Sequence, residues 1–110
     1  MGIQDWSENV VLVTLEPEPA LCDELKTVSQ SLRQGCDHNV VIDFSGVDIV
    51  SSSSIAQLLR LQKILKDAHY DMVLCGMSKR TKGIFKVSGL EEVFEFVEDT
   101  FVGLASLQMA

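Results

Sequence analysis

Two hydrophobic periods alternate along the chain. Val10 to Leu15 (VVLVTL) is a short run rich in β-branched residues with polar flanks, which predicts a strand. Glu16-Pro17-Glu18-Pro19 ends it, because proline cannot donate to a ladder and biases the residue before it towards extended backbone. Pro19 also suits the first turn of a helix. There Leu21, Leu25, Val28 and Leu32 recur at offsets of four, three and four, with Asp23, Glu24, Lys26, Gln30 and Arg33 outside the stripe. This predicts a one-sided amphipathic helix with Gly35 as its C-cap.

Val40 to Phe44 (VVIDF) is a nearly continuous apolar run, as expected for a strand covered on both faces. A connecting loop over Ser45–Ser52 leads to a helix over Ser53–Asp67, then to a short buried strand over Met72–Cys75. Strand, helix and strand make a βαβ unit with parallel pairing. In the middle helix Ile55, Leu58, Leu59, Leu61, Ile64, Leu65 and Ala68 spread over roughly 220° of the circumference, against about 100° for a simple surface helix. Either a neighbouring helix or a partner protein must cover that flank.

Ser78 is placed to cap a third helix, with Ile84, Phe85 and Val87 as its apolar residues and Gly89 as its stop. Val93–Val97 predicts a last strand. A C-terminal helix capped by Asp99 or Thr100 carries Phe101, Leu104, Ala105 and Gln108 on one face. The alternation predicts a single α/β domain over residues 1–110, with a mixed sheet of four to five strands and about four helices.

With 16 acidic against 9 basic residues the net charge is -7. That balance disfavours nucleic acid and anionic lipid as partners. The first residues lack the regions of a signal peptide, and no apolar run approaches the roughly 20 residues that span a bilayer. A cytoplasmic protein without direct membrane insertion is expected. Cys22, Cys36 and Cys75 are far apart, and with His38 and His69 they form no metal-ligand pattern, so free thiols and no cofactor are expected. There is no GxSxG elbow and no glycine-rich phosphate loop, which argues against an enzyme. Lys79, Arg80, Lys82 and Lys86 crowd one short segment, either as a solvated face or as a site for an acidic group.

Ser51 to Ser54 precede the apolar helix directly. Hydroxyls there accept from the unpaired N–H groups of a first helical turn, and one serine suffices as a cap. The others leave a hydroxyl exposed at a helix N-terminus, where the dipole and free N–H groups would hold a phosphate.

The segment Ile42–Leu59 resembles the core of the STAS family. Asp43-Phe44-Ser45-Gly46-Val47 is similar to that family's Asp-Leu-Ser-Gly-Val, and Ile49 and Val50 match its apolar pair. Ser51 to Ser54 then fall on its Asp-Ser-Ser-Gly positions. Leu74–Ser78, Val87–Leu90 and Val93–Phe94 resemble the later landmarks, and the likeness runs from about Val10 to Leu107. It implies a bacterial anti-sigma-factor antagonist: a non-enzymatic module of transcription regulation. Its implied partner is an anti-sigma factor or related serine kinase of ATPase fold. The implied phosphate acceptor is Ser53, with Ser52 second, and Ser51–Ser54, Gly46 and Gln57 are the implied partner contacts. Two positions depart from the motif: Ser51 replaces the acidic residue and Ser54 the glycine. Gly46, between strand and loop, is expected to need positive φ. Some small STAS proteins serve instead as accessory subunits of membrane-transporter ATPases without phosphorylation, which is the alternative reading.

Overall fold

The computed structural model describes residues 2–5, 9–33, 35 and 38–108. Cys36 and the side chain of Gln108 lie outside the described residues. The elements run β1 (Gly2–Asp5), β2 (Val10–Thr14), α1 (Ala20–Arg33), β3 (Asn39–Asp43), α2 (Ser52–Asp67), β4 (Met72–Cys75), α3 (Lys79–Val87), β5 (Glu95–Val97) and α4 (Thr100–Gln108). They form one sheet of order β1-β2-β3-β4-β5, antiparallel between β1 and β2 and parallel elsewhere. β1 has no counterpart in the sequence expectation: all four of its residues are exposed, so it carries no apolar pattern.

The parallel strands follow one another in space without reversal. With crossovers of one hand, such an order puts α1, α2 and α3 on the same face. The strand side chains divide accordingly. Val13, Val40, Ile42, Phe44, Met72 and Leu74 join Leu21, Leu25, Leu58, Leu61, Leu65 and Phe85 in the larger core. Val10, Val41, Val73 and Cys75 turn to the other face, under Leu104 and Leu107 of α4. This is the two-residue period of a pleated strand buried on both sides.

The wide apolar face of α2 is covered from two directions. Leu58, Leu61 and Leu65 are fully buried, and α1 packs along the helix as its neighbour. The flank therefore belongs to the protein's own core, although Leu59 remains 36% exposed. Two other apolar assignments are corrected. Val87, at the end of α3, is 89% exposed and Phe101 is 78% exposed. At α4 the reason is a close approach: a Cβ on Gly103 would stand 3.1 Å from Val41 Cγ1 and 3.3 Å from Val97 Cγ2. That contact turns Gly103, Leu104 and Leu107 inward and leaves Phe101 outside. β5 is also shorter than expected, because Val93 N–H bonds back to Leu90 O at 3.1 Å and keeps Val93 in a turn.

Candidate partner-binding and phosphorylation site

The loop from β3 to α2 begins with a reversal closed by Val47 N–H to Phe44 O at 2.9 Å. Gly46 sits inside it without positive φ. A Cβ there would meet Leu15 O at 3.6 Å, an ordinary contact. The expectation that Gly46 needs a left-handed backbone is thus overturned, because this turn keeps φ negative and leaves room for a Cβ. Beside this loop, a glycine that does need it is Gly76, after β4, with φ +68. A Cβ on Gly76 would stand only 2.8 Å from Asp43 Oδ1. The same Asp43 oxygen accepts from Ser45 N–H at 2.9 Å and so shapes the start of the loop.

The four serines take different roles. Ser51 is the N-cap, with extended backbone at φ -78 and ψ 161, and its hydroxyl oxygen accepts from Ser54 N–H at 3.1 Å. Ser52 is the first helical residue. The Ser51 hydroxyl donates to Ser54 Oγ at 3.1 Å, and the fully buried Ser54 hydroxyl donates onward to Glu18 Oε2 at 2.8 Å. Ser51 N–H reaches the same Glu18 oxygen at 2.7 Å. Ser52 and Ser53, the next two residues, are exposed. Ile49, just before the cap, is an apolar side chain 50% exposed, while Gln57 is half-buried one turn beyond Ser53.

Glu18 is the residue that sequence reasoning missed. The segment 16–19 reads locally as a strand terminator, yet it brings a carboxylate to the helix start from 33 positions away. The motif's acidic position is occupied by Ser51, and Glu18 returns the charge to its neighbourhood through space. Burial alone would raise the Glu18 carboxyl, but donation from Ser51, Ser54 and the Cys22 N–H outweighs it and holds the group below the ordinary 4.5. Ser54, in the motif's glycine position, does not project outward. Its side chain is folded under the turn and leaves the approach to Ser53 open.

Elsewhere the chemistry is sparse. Among the described residues no group of three His, Cys, Asp or Glu is placed to hold a metal ion. None of the described helices is long and apolar enough to cross a membrane. Cys22 and Cys75 are free thiols. Burial pushes the Cys75 thiol up against a lowering bond from Thr100, and nearby Asp43 and Asp99 add to the rise. The thiol is therefore held protonated rather than poised as a nucleophile.

One five-stranded mixed sheet with four helices and a serine-rich turn opening α2 makes this a small α/β domain. The STAS domain model matches residues 7–103, and the chain belongs to that family. It is 24% identical over 74 residues to BtrV of Bordetella bronchiseptica, a protein assigned as an anti-sigma factor antagonist. That match covers 67% of this chain but 64% of the relative's length. Among solved structures, the unphosphorylated anti-sigma factor antagonist SpoIIAA of Bacillus is similar at 16% identity and TM-score 0.82, covering 99% of this chain and 96% of that one. Its phosphorylated form aligns at 17% identity and TM-score 0.73, over 96% of each chain. An anti-sigma-factor antagonist (STAS) domain protein from Planctomyces limnophilus is 20% identical at TM-score 0.81, covering 96% and 97%. At such identities the structural likeness establishes the fold.

Proposed function

We propose that this protein is an anti-sigma-factor antagonist: a non-enzymatic switch that binds an anti-sigma factor or related serine kinase of ATPase fold. In this reading binding uses the α2 end of the molecule, with Ser51, Ser52, Ser53, Ile49 and Gln57 at the surface and Ser54 shaping it from beneath. Phosphate on Ser53 releases the partner. One observation carries it: of four consecutive serines, two are committed to the cap and to Glu18, while Ser52 and Ser53 present free hydroxyls at a helix N-terminus. A phosphate there faces the positive end of the helix dipole, which the fold tolerates. A closely packed interface does not, since about 1.5 to 2 negative charges would have to be desolvated. That SpoIIAA exists in phosphorylated and unphosphorylated forms supports the analogy.

The test is intact-mass measurement of the protein from its native cells, then peptide mapping of any phosphate. Phosphate on Ser53, with loss of anti-sigma-factor binding, is the expected result. Mapping to Ser51 or Ser54 would overturn the assignment. No phosphate on any of the four, with a transporter ATPase co-purifying, would replace this reading with the accessory-subunit one.

A further inference from the structure

Between α1 and α2 lies a small cavity of about 110 Å³, lined by Lys26, Ser29, Gln30 and Arg33 from one helix and Gln57 and Arg60 from the other. Every lining side chain can donate a hydrogen bond and none is acidic. Three of the nine basic residues of a chain with net charge -7 meet there. The Ser29 hydroxyl, in the same wall, is buried without a hydrogen-bond partner among the described residues. Buried hydroxyls are normally paired, so this wall holds an unused valence.

We infer that this cavity is a site for a single oxyanion group, a phosphate or a carboxylate. Its volume of about 110 Å³ has room for several water molecules, which suits one such group. Two guanidinium groups from different helices, flanked by amides, are the donor set that recognises oxyanions. The basic segment of α3 differs on each count. Its cavity of about 310 Å³ takes Lys79, Lys82 and Lys86 from a single helix, and Glu91 stands in the lining.

The position suggests what the site reads. Ser53, Gln57 and Arg60 are spaced i, i+4 and i+7, so they form one stripe along α2. Arg60 lies about 10 Å along the axis from Ser53. An acidic group held in the cavity would therefore sit on the proposed binding face, within electrostatic reach of a phosphate on Ser53. This coupling rests on the proposed role of Ser53; the cavity site does not.

The experiment is an NMR titration of the intact protein with sodium phosphate, against sodium chloride at equal ionic strength. It follows the Gln30 and Gln57 side-chain amides and the Arg33 and Arg60 Nε–H groups. Saturable shifts at these four are expected, with at least about fivefold weaker binding in Arg33→Gln/Arg60→Gln and no change in Lys79→Gln/Lys82→Gln. A matched backbone spectrum shows that the double variant is folded. Non-saturating shifts spread over all basic residues, or unchanged binding in the double variant, would overturn the site. Sodium acetate distinguishes the sources: competition with phosphate assigns a carboxylate ligand, and silence assigns a phosphate. Ser53→Asp should weaken phosphate binding about twofold, as expected for like charges roughly 10 Å apart in a water-like medium. Unchanged affinity in that variant overturns the coupling. Neither result bears on whether Ser53 is phosphorylated, which the mass measurement decides alone.

Discussion

At the start of α2 the Ser51 hydroxyl accepts from Ser54 N–H at 3.1 Å; at the start of α3 the Ser78 hydroxyl accepts from Thr81 N–H at 3.2 Å. In each case the cap hydroxyl also donates to the next one, Ser54 Oγ at 3.1 Å and Thr81 Oγ1 at 3.0 Å. In each case that second hydroxyl is fully buried and donates to a distant loop. Ser54 finds the Glu18 carboxylate at 2.8 Å, whereas Thr81 finds the neutral carbonyl of Asp48 at 3.0 Å. Between cap and buried hydroxyl, α2 carries Ser52 and Ser53 and α3 carries Lys79 and Arg80. The same cap thus produces a neutral first turn backed by a negative charge and a first turn that is positive throughout. Capping explains the outer serine of the run and the buried one, but not the two exposed between them. That remainder is what the proposed function uses.

The body of α2 sets the scale for any change at its start. Leu58 and Leu65 are fully buried, so Leu→Ala at either should cost about 2–5 kcal/mol. Chemical denaturation measures it. An unchanged midpoint together with lost partner binding would mean that this face is not core, and cap variants could no longer be compared on a common footing. Phe85 is the matching residue of α3, packed edge-on against Phe94 and Phe96 at 5.6 Å each. Phe85→Ala should cost about 3–5 kcal/mol.

Next come the relays themselves. Ser54→Ala removes a buried donor and leaves Glu18 with one bond fewer, an expected cost of about 1–3 kcal/mol. Thr81→Val should fall at the lower end of that range, because the acceptor it abandons is neutral. Equal costs would show that the charge on Glu18 adds nothing to the α2 relay. The pH dependence separates the two more sharply. Because the Glu18 carboxyl is lowered in the folded state, its contribution is present above the ordinary 4.5 and is lost as pH falls through the folded value. Glu18→Gln should therefore be less stable than the parent at neutral pH, with the gap closing in acid. Thr81→Val should show a gap that does not move with pH.

What the sequence made legible follows the same division between local and distant causes. Met72–Cys75 and the Ser78 cap are readable because four apolar residues in a row, or a serine before a helix, act within a few positions. β1 was not, since an edge strand exposed throughout is held only by its pairing to β2. Residue type alone puts Phe101 on the inward stripe, while the inward face is chosen by the absence of a side chain at Gly103. Glu18 was hidden for the most general reason. Its partners lie 33 and 36 positions away, and nothing in Glu-Pro-Glu-Pro announces a role at another helix. The serine motif was visible; the carboxylate that stands beside its altered first position was not.

The smallest predicted effect is also the most direct probe of that carboxylate. An acidic side chain in the first turn of a helix is worth about 0.3–1 kcal/mol through the dipole, provided the end is not already neutralised. At α3 it is not: Lys79 and Arg80 oppose the dipole, and the Arg80–Asp48 pair at 3.9 Å is exposed on both sides and adds little. Lys79→Glu should therefore stabilise the protein by the full amount, with a rise in thermal midpoint that fades in high salt. At α2, Glu18 already accepts from Ser51 N–H and the Ser54 hydroxyl. A new carboxylate at Ser53 meets the same dipole together with a negative neighbour, and the two effects oppose each other. Ser53→Asp should leave the midpoint within a few degrees of the parent, and Ser53→Ala should do the same, since an exposed hydroxyl outside the cap carries little stability. If Ser53→Asp gains as much as Lys79→Glu, Glu18 does not shield this helix end. In Glu18→Gln the two sites should converge, because removing that carboxylate leaves Ser53→Asp facing the bare dipole.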